Sequence, residues 1–556
     1  MTVARVIRRL ALDVLIWYGL SAIFLALYVR RFGQPATAVA AHLAVIAIPL
    51  LTSSLARFFL QQSMTNSALR RLASTLLTGS LLTLLIAYYA IVLIGLRSWG
   101  GVVAWNVIPT LFATAYALAD ALAVPLFVLV IAACAAYLTI LLICWLYLAR
   151  FDWAGTGPSP LSRPMRTTVV AGATVFLALQ TFQLCAKQYT LDSEPVSLTL
   201  FPPKAALDME GYSGNPIAAA PLDRLADQAR KAYVPAATVG KNLVLIVVDA
   251  LRPDHMGIYG YRRPTTPHLD RIVSQHETRI IHGTHASCAD TTCALFSLSN
   301  SQFTNEFSFH PIMLQEAARR NGYRVHLVLS GDHTYFYSLK SFYGPVDSFY
   351  DGTQARGYEM NDDQLVIDHI ASMPDWDGKP AMFQIHLMSS HLLRKTETVP
   401  GPYQPARRYA LRDSADRGPG GDPPDTALNF YDNGVVEADS VINTILTLLG
   451  KKGYLGDALV AVTADHGESL GEHGLFTHAN SVREEVLRIP LVLVAYGSPF
   501  RSDTAYRTFS SQVDIAPTLF TELGLPVPGT WSGRPLQDAQ GLTLSYFAEH
   551  QFAGGD

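Results

Sequence analysis

Four continuous apolar runs are each followed at once by residues able to do chemistry. Asp249 closes the run Asn242 to Val248, and Ser330, Asp332 and His333 follow Arg324 to Leu329. His391 comes four residues after Ala381 to Leu387, and Asp465 and His466 come shortly after Ala458 to Val462. A lone Asp after a strand is commonly a turn residue or a helix cap. Four strand ends bearing Asp or His are harder to dismiss, because open α/β sheets bind ligands beyond the carboxyl ends of their strands. Such donors suit Zn²⁺ or Mn²⁺ with oxygen-rich substrates, and they lack the all-oxygen cage expected for Ca²⁺. The segment Ser287 to Leu298 (SCADTTCALFSL) adds hydroxyls just before an expected helix. A nucleophile there meets the positive end of the helix dipole, and a metal beside it can hold its alkoxide at neutral pH. Thr291 and Thr292 are both placed for this, and either could equally be a plain N-cap.

The elements that must position these groups alternate. The apolar runs, with a further one at Pro490 to Ala495, are separated by helical patterns opening at Thr266-Pro267, near Pro311 to Asn321, and from about Ala427 to Leu449. That order describes a mostly parallel sheet sandwiched by helices, an α/β domain. The Gly/Pro/Asp-rich stretch 412–425 reads as a loop or insertion.

The first third is different in kind. Residues 1–190 hold 13 Lys/Arg but only three acids, Asp13, Asp120 and Asp152, within a chain of 556 residues and net charge −3. Apolar stretches at 10–29, 36–56, 72–96, 122–149 and 167–186 each meet the need for about 20 residues across a bilayer core. Asn106 and Pro109 interrupt 101–119, which fits an interfacial or re-entrant segment better. Five spans place nine arginines on the N-terminal side and three (Arg30, Arg31, Arg97) opposite, which the positive-inside tendency favours. The expected organisation is therefore a five-helix transmembrane domain over 1–187, a bridging segment over 188–240 and an exported α/β domain over 241–556. The first span is read as an anchor, not a cleaved leader. Without a basic excess, nucleic acid is excluded as a partner. Cys288 and Cys293 fall in the exported domain, where an oxidising compartment permits a disulfide.

Several motifs in order resemble the alkaline phosphatase and sulfatase superfamily. Val247 to Tyr261 (VVDALRPDHMGIYGY) is similar to its opening metal motif, Thr266 to Arg271 (TPHLDR) to the helix after it, and Asp465 to Gly474 (DHGESLGEHG) to its second metal motif. His478, Arg488 to Leu491 (RIPL) and Gln512 to Leu519 (QVDIAPTL) extend the likeness, which covers about 240–528. The chain departs from the secreted sulfatases. Ala250 follows Asp249 where they carry a second Asp, and Cys288 to Thr292 lacks the Pro and Arg of a formylglycine motif. A Thr nucleophile with Asp-His ligands instead resembles the membrane-anchored phosphoethanolamine transferases and phosphoglycerol transferases. The Ser-Cys pair before the Thr and the phrase Asp465 to Gly471 are similar to the former in particular, while Arg488-Ile-Pro and the Val513 to Thr518 tail are more similar to sulfatases.

That resemblance implies a metal, Zn²⁺ or alternatively Mn²⁺, held by Asp249, Thr291, Asp465 and His466. His391, His478 and His333 stand on the substrate side or at a second metal. Spacing from Cys288 points to Thr292 as nucleophile and spacing back from Phe296 points to Thr291; Thr291 is preferred because the helix fixes the site. The implied reaction transfers a phosphoethanolamine-type or other phospho-alcohol group from a phospholipid donor such as phosphatidylethanolamine to an envelope glycan or glycolipid, at the outer face of a bacterial inner membrane. The competing expectations are a sulfatase-like or phosphodiesterase hydrolase and a catalytically silent membrane sensor.

Overall fold

The computed structural model describes residues 3–30, 38–99, 124–151, 194–200, 216–236, 240–354, 361–395, 401–409, 425–479 and 481–538, with parts of 102–119 and 170–182. The chain forms two compact units, one built from 1–108 and 126–204, the other from 109–125 and 205–556.

In the first unit, four helices are long and apolar enough to cross a membrane: α1 (Val3–Arg30), α2 (Ala38–Ser63), α3 (Ser67–Trp99) and α4 (Leu126–Phe151). They coincide with four of the five expected spans. The fifth, 167–186, lies largely outside the described residues, which contribute a short apolar helix, Val170–Leu179; segment 101–119 also lies largely outside them. Charge inside an apolar unit has to be paired. Arg57 on α2 donates to Asp13 on α1 at 2.8 Å, and the Tyr147 hydroxyl of α4 donates to the same carboxylate at 3.1 Å. A second buried knot joins His42 to Glu194 (2.7 Å) and to the Tyr89 hydroxyl (2.8 Å). Glu194 also accepts the amides of Val196 and Ser197, capping the short helix α5 (Pro195–Leu200).

The second unit starts with α6 (Pro216–Ala232) and is organised around β1 (Asn242–Val248). The order continues through α7 (Pro267–Gln275), β2 (Glu277–His285), α8 (Thr291–Asn300), α9 (Leu314–Arg320), β3 (Arg324–Leu329), β4 (Ser348–Asp351), α10 (Gln364–Ser372) and β5 (Ala381–Leu387). It ends with α11 (Asp425–Lys451), β6 (Ala458–Ala464), the small hairpin β7 (Ser469–Leu470) and β8 (Phe476–Thr477), then β9 (Arg488–Tyr496), β10 (Phe509–Ser511) and α12 (Ile515–Leu523). Eight strands pair in the order β10-β2-β9-β6-β1-β5-β3-β4. Every pairing is parallel except those of β9, which runs against both β2 and β6.

Every residue of β1 is buried, because each face of the sheet is covered. Val244, Ile246 and Val248 pack with residues of α7, α10 and α11, while Leu243, Leu245 and Val247 pack with residues of α8, α9 and α12. A strand buried on both sides must be apolar at every position, which is why these runs read as unbroken. The carboxyl ends of β1, β3, β5 and β6 consequently open at one edge of the layer, two of them bearing Asp249 and Asp465 in the first positions after the strand.

Candidate active site

Asp249 and Ala250 leave β1 in a tight turn with Ala250 at φ 61°, left-handed backbone that costs a non-glycine residue energy and is held by its surroundings. The Ala250 amide donates to Asp465 Oδ1 at 3.0 Å, and its carbonyl accepts the Tyr431 hydroxyl of α11 at 2.6 Å. This joins the first carboxylate to the second. Asp465 Oδ1 also accepts the His466 amide at 2.8 Å.

Donor atoms of Asp249, Asp465 and His466 lie within 4.8 Å of one another, and all three residues are fully buried. Oδ1 of Asp249 and Oδ2 of Asp465 have no hydrogen-bond partner, and they stand 3.9 and 3.3 Å from His466 Nε2. His466 Nδ1 lies 2.8 Å from the Gly467 carbonyl, so it carries the proton and leaves Nε2 with a free lone pair. Burial, with the charges of Asp465 and Glu468, pushes the Asp249 carboxyl well above its ordinary range; burial holds the His466 imidazole down. Two orphaned carboxylate oxygens and one free imidazole nitrogen around a buried point fit a divalent cation, with a borderline metal such as zinc suited to mixed N and O donors.

The Thr291 hydroxyl borders the same point. It donates to Asp249 Oδ2 at 3.2 Å and lies 3.1 Å from His466 Nε2. The N-cap of α8 is Asp290, whose side chain accepts the Cys293 amide at 3.1 Å, so neither threonine is needed for capping. That overturns the plain N-cap alternative for both and leaves the Thr291 oxygen available. Thr292, one residue on, makes none of these contacts among those found for the described residues. Cys288 and Cys293 form a disulfide across this turn.

The other expected residues fall in two groups. His391 and His478 stand together, ring centroids 5.4 Å apart, and His478 lies 4.2 Å from the His466 ring. Burial with neighbouring imidazoles depresses His391 strongly. Burial alone would lower His478 too, but the Glu468 carboxylate at 3.2 Å outweighs it and raises the group. His333 sits one layer back, its Nε2 3.0 Å from Nδ1 of His386.

Three groups lie at the site that the motif reading did not select. His386, inside β5, has an unpartnered Nε2 3.8 Å from Asp249 Oδ2; Glu468 holds His478; and the Tyr337 ring stands edge-on to His386, centroids 6.3 Å apart. Asp363 accepts the Met388 amide at 2.8 Å and the Ser389 hydroxyl, and Ser390 donates to the Asp249 carbonyl at 2.6 Å. These bonds hold the turn that carries His391 against the end of β1. Gly434 lets α11 pass this turn, since a Cβ there would collide with the Ser389 carbonyl.

The Sulfatase family model matches residues 241–525, and the chain belongs to that family. It is similar to the phosphoethanolamine transferase EptA of Helicobacter pylori, with 25% identity over 264 residues, 47% of this chain and 48% of that one. It is also similar to the Kdo(2)-lipid A phosphoethanolamine 7''-transferase of Salmonella typhimurium, with 25% identity, 45% of this chain and 44% of that one. The chain thus spans about half the length of the curated relatives it matches. Among solved structures, the integral membrane lipooligosaccharide phosphoethanolamine transferase A of Neisseria meningitidis aligns over 90% of this chain and 97% of its own, with a TM-score of 0.47 and 17% identity.

Proposed function

We propose that this protein is a membrane-anchored phosphotransferase, moving a phosphoethanolamine-type group from a phospholipid such as phosphatidylethanolamine to a hydroxyl or phosphate of an envelope glycan or glycolipid. The observation that carries the reading is the Thr291 hydroxyl, uncapped, at a helix N-terminus and in contact with both Asp249 and His466. Similarity to two phosphoethanolamine transferases supports the choice of group. Four helices long and apolar enough to cross a membrane support a membrane-bound enzyme with a lipid donor.

Thr291 Oγ attacks the phosphorus of the donor, the bond from phosphorus to the diacylglycerol oxygen breaks, and the threonine proton ends on the departing alcohol. The phospho-threonine is then attacked by the acceptor oxygen, which gives up its proton as Thr291 is restored. Asp249, Asp465 and His466 would hold a divalent cation such as zinc, whose charge would offset negative charge developing on the Thr291 and phosphoryl oxygens. Asp249 orients Thr291 through the 3.2 Å hydrogen bond. His391 and His478 face the transferred group, His478 held in place by Glu468.

The full chain in detergent, given phosphatidylethanolamine with a fluorescent diacylglycerol portion, should release labelled diacylglycerol and gain the mass of phosphoethanolamine on Thr291. Neither product appearing would sink the reading. Release of free phosphoethanolamine at the same rate with and without an acceptor alcohol would turn it into a hydrolase. A phosphatase reporter fused after about residue 195 should be active outside the cytoplasm, and one near Gly157 should not.

A further inference from the structure

We propose that Gln512 is a positioning residue of this site, its side-chain amide joining the loop that carries Thr291 to the strand end that carries Asp465 and His466. The inference rests on the phosphotransfer reading above and gives a role to a residue outside both metal motifs.

The two halves of the centre come from strands that do not touch. Thr291 follows β2, Asp465 and His466 follow β6, and β9 lies between these strands in the sheet. Neighbouring strands are about 4.8 Å apart, so the ends of β2 and β6 open roughly 10 Å from each other. Yet Thr291 Oγ stands 3.1 Å from His466 Nε2. Two links close the gap. One is backbone: the Leu487 carbonyl accepts the Ala286 amide at 2.7 Å, and the Val486 carbonyl accepts the Gly467 amide at 2.6 Å. The other is the Gln512 side chain, which is fully buried.

Gln512 opens the single turn Gln512–Asp514 between β10 and α12. Its Nε2 donates to the Asp465 carbonyl at 2.8 Å and faces the Ala464 carbonyl at 3.3 Å, while its Oε1 accepts the Ser287 amide at 3.3 Å. The Ser287 hydroxyl is shared between that same oxygen, at 3.0 Å, and Ser297 Oγ on α8, at 2.6 Å. Turning the amide round would set Oε1 against two carbonyls and Nε2 against an N–H, so its orientation is fixed. The bridge needs a donor at one end and an acceptor at the other; an ionised Glu only accepts and a Lys only donates.

The same turn grips the far end of α8, where Ser301 Oγ donates to the Val513 carbonyl at 2.6 Å. One turn thus holds both ends of the helix, which sets the direction of the Thr291 hydroxyl in its first residue. Gln512 meets backbone and Ser287, not the donor atoms of Asp249, Asp465 or His466. Its loss therefore shifts the nucleophile and leaves the metal-binding atoms in place. A shift of about 1 Å, even one caused away from the chemistry, costs on the order of 100-fold in rate.

The test uses the purified full chain with phosphatidylethanolamine as donor. Gln512→Leu removes both ends of the bridge at similar volume. Its kcat should fall about 100-fold, with KM within about threefold and bound metal per chain unchanged. In rapid-quench experiments, formation and acceptor-driven chase of the Thr291 adduct should both slow. Ser287→Ala removes one end and should cost about tenfold. The double variant should be no slower than Gln512→Leu alone, because both changes break one bridge. A kcat within threefold of the parent in Gln512→Leu overturns the proposal. So do losses that multiply in the double variant, or a fall in rate matched by a fall in bound metal. Should Gln512→Leu fail to fold, Ser287→Ala decides: a kcat about tenfold lower at full metal content upholds the bridge, and one within threefold removes it. No adduct in the parent chain overturns the phosphotransfer reading as well. An adduct in the parent with unaltered rates in the variants overturns only the role of Gln512.

Discussion

Oδ1 of Asp249 and Oδ2 of Asp465, from two neighbouring strands, both stand within 4 Å of His466 Nε2 with no hydrogen-bond donor on either oxygen. Two buried carboxylates in this relation repel each other unless a proton or a cation intervenes. Chelation should therefore lower the melting temperature of the full chain, and zinc should restore it; a ligand at 1,000 times its Kd stabilises by about 4 kcal/mol. Asp465→Ala and His466→Ala should each lose bound metal by elemental analysis. Unchanged metal content in both would remove the assignment.

The two threonines separate cleanly by substitution. Thr291→Ala should lose essentially all transfer, and Thr291→Ser should keep part of it, because an oxygen remains beside Asp249 and His466. Thr292→Ala should cost much less, since one step along a helix turns a side chain by about 100°. A phospho-adduct on Thr292 in an active Thr291→Ala protein would reverse the roles.

Away from the metal, Asp439 on α11 accepts the amides of His268 and Leu269 at 2.8 Å each and so caps α7 from outside. Burial pushes its carboxyl up to about 6. A raised folded value means that the folded chain binds the proton more tightly than the unfolded one, so this group's contribution is largest in acid. It declines as pH climbs from the ordinary carboxyl value to about 6, then stays flat. Relative to Asp439→Asn, which cannot titrate, the parent should lose on the order of 2 kcal/mol of stability across that window. Parallel melting curves for the two proteins from pH 4 to 7 would contradict this.

In the membrane unit, Arg57→Ala leaves Asp13 buried with only the Tyr147 hydroxyl and should cost about 3–5 kcal/mol. Removing both partners in Arg57→Ala/Asp13→Ala should cost less than Arg57→Ala alone. Unfolding in mixed detergent micelles reads the order of the three proteins, and a double variant weaker than the single one would argue against a strongly coupled pair.

What the sequence disclosed follows from burial. β1, β3 and β5 are covered on both faces or nearly so, and their apolar runs mark their ends to the residue. β2 (ETRIIHGTH) is partly exposed along its length and carries charges at its start, so no unbroken run marks it. β4 has only four residues, and nothing in the run of β9 encodes that it lies antiparallel. The same logic divides the site. Asp249, Asp465 and His466 follow strands as polar breaks and stand out, whereas His386 is buried within an apolar run and reads as core. Tyr337 lies in a turn crowded with aromatic residues, and its place at the site depends on His386, a neighbour 49 positions later in the chain.

The left-handed turn at Ala250 also governs when the centre can exist. Its amide waits for Asp465, 215 positions later, and its carbonyl for Tyr431, 181 positions later. A growing chain makes the opening motif early yet has nothing to close it with until nearly all of the second unit has been synthesised. Shorter nascent forms hold the first carboxylate without its neighbour, so they offer no preformed cavity for an ion. A cation taken up by this centre would in this respect load late in maturation, drawn from whichever compartment the finished chain occupies at that moment.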